Sequence, residues 1–114
     1  MNLLQLKQYI ETIVLVHPNS QILSQLYTSL RNEGYRVLAF KRVKDANSEL
    51  IKLYKYKIPI HKIIVPTNLK VYHTCTYQGF LNMMFPQWKV ITTDKQPYRE
   101  HIDLVKFKKE LYYE

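Results

Sequence analysis

The run Thr12-Ile13-Val14-Leu15-Val16, followed at once by His17-Pro18-Asn19-Ser20, constrains this chain more than any other stretch. A segment that is apolar or β-branched at every position has no solvent side, so it must be a strand covered on both faces. The polar turn behind it offers Asn19-Ser20 as an N-cap, and Ile22, Leu23, Leu26, Tyr27 and Leu30 then recur at helical spacing. A strand joined so tightly to a helix opens a parallel α/β unit, and ligands in such sheets bind at the carboxyl ends of the strands.

The remaining elements follow from the same periodicities. Asn2 to Glu11, with Leu3, Leu4, Leu6 and Ile10, forms a short leader before the first strand. Gly34 closes the first helix as a C-terminal cap, and Tyr35 to Phe40 is a short second strand. Asp45 is placed to cap a second helix with Ala46, Leu50, Leu53 and Tyr54 inward, ending before Pro59. His61 to Val65 is the third strand, bounded by Pro66, and Asn68 to Thr76 is a loop. Tyr77, Phe80, Leu81 and Met84 make one face of a third helix stopped by Pro86, after which Trp88 to Thr92 is a fourth strand.

The tail has two readings. Either Pro97 opens one terminal helix with Tyr98, Ile102, Val105 and Leu111 inward, or Asp103 to Phe107 is a fifth strand after a shrunken crossover. Pro in a first turn and a lysine-rich last turn favour the helix. Alternation of strands and helices at this spacing implies right-handed crossovers. The expected fold is a single three-layer α/β/α domain spanning 1–114, with a mainly parallel, flavodoxin-like sheet in the order 2-1-3-4, or 2-1-3-4-5 with the fifth strand.

Composition narrows the function classes. A hydrophobic fraction of 46% with 23% charged residues is globular rather than disordered or fibrous. The apolar runs are far too short for a membrane span, and Met1 to Leu6 lacks a basic leader and cleavage site, so a cytoplasmic protein with no membrane partner is expected. The lone Cys75 cannot form an internal disulfide. A net charge of +8 suits an anionic partner, yet basic residues exceed acidic ones in both halves of the chain and no arm concentrates them. Lys41, Arg42 and Lys44 form one cluster, Lys52, Lys55 and Lys57 another, and Lys106, Lys108 and Lys109 a third. The first and last are the candidate nucleic-acid contacts.

Ile13 to Val16 with its polar turn, the stretch Glu33-Gly34-Tyr35-Arg36-Val37, and a third strand followed by Thr67-Asn68-Leu69 together resemble a response-regulator receiver domain over the first three quarters of the chain. The resemblance implies acidic residues after the first strand and a phosphoaccepting aspartate after the third. His17-Pro18 and Pro66 stand there instead. Divalent-cation binding and phosphoryl transfer to aspartate need carboxylates at those places. The family's hydroxyl would fall on Thr92 or Thr93 and its lysine on Lys106, although a terminal helix removes Lys106 from that role. What the resemblance implies is a pseudo-receiver that acts by contact. The strand order 2-1-3-4 also resembles the IIB components of the phosphotransferase system, which carry a phosphorylated cysteine just after the first strand, where this chain has His17.

No catalytic set is complete. His17, beside a helix N-terminus, is a candidate anion or phosphoryl site, but Pro18 removes a donor and no glycine lets amides close round a phosphate. His73-Thr74-Cys75 is too few ligands for zinc, with His61 and His101 in other elements, and no metal or other cofactor is expected. Tyrosines Tyr27, Tyr54 and Tyr77 fall on expected core faces, leaving Tyr56, Tyr72, Tyr98, Tyr112 and Tyr113 for the surface. The leading expectation is a non-enzymatic regulatory module that binds another protein, or a second copy of itself as a homodimer. Its surface would be the loop after the third strand, through Lys70, Tyr72 and His73, or the final helix, through Tyr98, Tyr112 and Tyr113. The alternatives are a small nucleic-acid-binding accessory protein and a phosphocarrier using His17.

Overall fold

Strand β1, Thr12–Val16, is buried at all five positions because neighbours flank it on both edges and helices cover both faces. The computed structural model describes residues 11–71, 75–93, 97–100 and 102–112. Chain order continues with α1 (Ser20–Asn32), β2 (Arg36–Phe40), α2 (Val43–Lys55), β3 (Lys62–Val65), β4 (Asn68–Lys70), α3 (Tyr77–Met84), β5 (Val90–Thr92), β6 (Pro97–Arg99) and α4 (Leu104–Tyr112). The main sheet is parallel throughout and runs β2-β1-β3-β5, which is the expected flavodoxin-like order with β5 as its fourth strand. The leader before Glu11 lies outside the described residues.

Side chains alternate across the strands and so sort into two layers. Ile13, Leu15, Val37 and Ile64 face α1, which supplies Leu23, Leu26 and Leu30. Val14, Val16, Ile63, Val65 and Val90 face the larger core, built with α2, α3 and α4. Aromatic rings run through that core, with Phe80 edge to face on Phe107 at 5.0 Å and Phe85 tilted against Trp88 at 4.8 Å. Contacts of this kind contribute beyond the area they bury.

Ends of the helices follow local chemistry. The Asn19 side chain accepts the N–H groups of Gln21 and Ile22, so α1 has the expected cap. At its other end Gly34, at φ +97°, lets Gly34 N–H reach Arg31 O and Tyr35 N–H reach Leu30 O. The same paired closure ends α2, with Lys57 at φ +57° in the glycine-type position and Ile58 N–H on Leu53 O. Asp45 does not cap α2: the helix starts at Val43, two residues earlier, and leaves Asp45 inside its first turn.

The second half corrects the sequence reading in three places. Asn68 to Thr76 is not all loop, because β4 pairs in parallel with β6 and Lys70 bridges to Thr76. Pro97 does not open a helix. It begins β6, where its missing N–H costs least. The terminal helix starts only after Asp103, whose Oδ1 accepts the Lys106 N–H at 3.1 Å, so the reading of 103–107 as a fifth strand is also excluded. That start sets the phase of α4: Phe107 and Leu111 turn inward and Val105 is 78% exposed, opposite to the expected face. Tyr77 is fully buried as expected, but Tyr27 and Tyr54 are surface residues, with Tyr27 accepting a hydrogen bond from Arg31 Nη1.

Candidate functional site

The carboxyl edge of the sheet is where the separate elements converge. After β1 comes His17, the candidate anion or phosphoryl site, which is 0% exposed. Its backbone N–H donates to Phe40 O, and its Nδ1 accepts the Asn19 N–H at 3.0 Å. The turn is thus stitched by the imidazole, and a phosphodonor would reach the ring only if that turn opened. Pro66 ends β3 and is buried, and the Thr93 N–H closes on Val65 O beside it. Among the described residues no three His, Cys, Asp or Glu side chains gather closely enough to hold a metal ion. Lys106 sits within α4, not after a strand, so it does not occupy a receiver's lysine position.

A carboxylate does reach this edge, from a part of the chain that carries no motif. Glu100 follows β6, and its Oε2 accepts the Val43 N–H at 2.8 Å across 57 residues of chain. This fills the cap that Arg42, the N-cap residue, does not make with its own side chain. A carboxylate at a helix start is favoured by the helix dipole. Half-buried, Glu100 nonetheless has its carboxyl pushed above the usual range, chiefly by desolvation and also by Asp45, while the bond from Val43 and the charge of Arg42 pull it back.

Beneath Glu100 lies a buried pair. The Tyr77 hydroxyl donates to Asn47 Oδ1 at 2.6 Å, and both side chains are shielded from solvent. Burial and the nearby Glu100 charge push the Tyr77 hydroxyl well above its ordinary range, which keeps it a donor. Asn47 also lines a cleft of about 290 Å³ between the first turns of α2 and the inner wall of α4. Lys44 stands on one wall and Lys106 on the other, so the fold brings together members of two basic clusters that are far apart in sequence. Lys41 and Arg42, exposed in the turn after β2, continue this positive rim.

The protein-contact candidates are dispersed. Lys70 is half-buried in β4, held there by register with Arg99. Tyr72, His73, Tyr113 and the side chain of Tyr98 lie outside the described residues, as does His101. Tyr112, at 59% exposed, shares the outer side of α4 with Val105, Lys108 and Lys109. A second groove, at the opposite edge, is lined by Tyr54, Ile58 and Trp88 together with Lys55 and Lys57. No helix among the described residues is long and apolar enough to cross a membrane. Glu100, Asn47 and Tyr77 escaped the sequence reading as site residues because each looks ordinary alone; only their long-range pairing marks them. Compared with known protein families, curated proteins and solved structures, the chain matches none.

Proposed function

We propose that this chain is a non-enzymatic regulatory module of pseudo-receiver type, which works by docking another protein on the outer face of α4 and is not phosphorylated on aspartate. The observation that carries the reading is the exposure of Val105 and Tyr112, two helical turns apart on a helix that buries Phe107 and Leu111 and half-buries Leu104. A β-branched and an aromatic side chain left in water beside Lys108 and Lys109 match the make-up of a contact patch, an apolar centre with a charged margin. Supporting it, Pro66 and the sealed His17 occupy the positions where the receiver resemblance would require chemistry.

The test is site-specific photocrosslinking in the native host. A crosslinker at Val105 should capture one defined partner, or a second copy of the chain, that a crosslinker at exposed Gln25 does not. Val105→Asp with Tyr112→Ala should abolish that capture without lowering stability, since both side chains are already solvated. Equal capture at Gln25, or capture that survives the double substitution, rejects the reading. A second reading, nucleic-acid binding, is favoured by one observation: Lys41, Arg42, Lys44 and Lys106 are neighbours at a single edge of the fold.

A further inference from the structure

We infer that the cleft between α2 and α4 is a binding site for a small carboxylic acid with an aliphatic or aromatic body. Asn47 is 6% exposed and its Oδ1 is taken by Tyr77, while its amide nitrogen has no partner among the described residues. An N–H donor left unpaired in a buried position is costly, and an acceptor oxygen supplied by a ligand recovers that cost. The cleft it lines, at about 290 Å³, is at the small end of the range for ligand pockets. Buried Ile102 and Phe107 give it an apolar floor. Lys44 and Lys106, one from each wall, place positive charge at the same opening.

The charge pattern selects among anions. Asp103 also borders the cleft, but its Oδ1 is committed to the first turn of α4. Glu110 stands one turn beyond Lys106 and disfavours a doubly charged guest. No glycine nest is present to wrap a phosphate. A monoanion that offers one oxygen to the Asn47 amide, lays its body on Phe107 and Ile102, and leaves its charge between the lysines uses each feature. The site faces inward from α4 and so stands or falls separately from docking on the outer face.

Side-chain amide signals of the ¹⁵N-labelled full chain provide the test, with 3-phenylpropionate as the carboxylate probe and inorganic phosphate as the control at matched ionic strength. The Asn47 amide pair should move saturably with 3-phenylpropionate and stay in place with phosphate. Asn47→Asp, which keeps an acceptor for Tyr77 but loses the donor, should abolish the saturable shifts that the probe causes in the backbone amides of Ile102 and Phe107 in the native chain. Lys44→Ala and Lys106→Ala, both at exposed positions, should each weaken binding by about tenfold. Should Asn47→Asp fail to fold, the two lysine variants decide alone. An Asn47 pair that does not move up to about 10 mM probe, an equal response to phosphate, or undiminished binding in the lysine variants overturns the inference.

Discussion

Glu100 is held between opposed effects, and the balance can be measured. Its carboxyl is raised in the folded chain, first by desolvation, so the native state holds the proton more tightly than the unfolded state does. Stability from this group is therefore fully present below the unfolded value and is lost as pH rises through the folded one. Glu100→Gln keeps an oxygen for the Val43 N–H but cannot ionise. Relative to that variant, the native chain should lose stability steadily from acid towards neutral pH. Urea denaturation of both proteins across that range measures the difference, and parallel profiles would refute the assignment.

At the scale of elements, the two helix closures form a natural comparison. Gly34 and Lys57 hold equivalent left-handed positions, and a Cβ placed on Gly34 meets nothing within 4 Å. Any cost of substitution there is consequently conformational rather than steric crowding by neighbours. Gly34→Ala should destabilise by about 1–2 kcal/mol. Lys57→Gly should stabilise by less than about 1 kcal/mol, because a freer unfolded chain offsets part of the relief. Urea midpoints measure both, and a destabilised Lys57→Gly would contradict the account.

The elements also show how far the sequence could be followed. β1, α1 and β2 were legible because Ile13 to Val16, Leu23, Leu26 and Leu30 carry strong periodicity and Asn19 and Gly34 mark the helix ends. β4 and β6 were not, since three residues carry no period and their pairing is decided by a partner beyond α3 and β5. Val105 was misplaced for a related reason. The inward face of a short helix depends on its first residue, and that was set by the Asp103 cap, not by Pro97. The candidate site was less legible than the fold, as Glu100 to Val43 and Tyr77 to Asn47 are side-chain bonds across 57 and 30 residues.

For the whole molecule, the distribution of charge matters more than the total of +8. Lys44 and Lys106 meet across one cleft, whereas Lys55 and Lys57 line a groove at the opposite edge. Salt separates the two functional readings. Docking on Val105 and Tyr112 has an apolar centre and should survive a rise from about 50 to 200 mM salt, over which phosphate-backbone binding weakens by orders of magnitude. Partner binding that collapses over that interval, together with retention of DNA or RNA at its lower end, would favour the nucleic-acid reading.

The parallel pairing of Asn68–Lys70 with Pro97–Arg99 fastens both ends of the stretch that contains α3 and β5. A stretch tied at its two ends resists unravelling from either side. The outermost strand of the main sheet would in that case be guarded by a knot lying outside the sheet, and peeling it away would first require that knot to be undone.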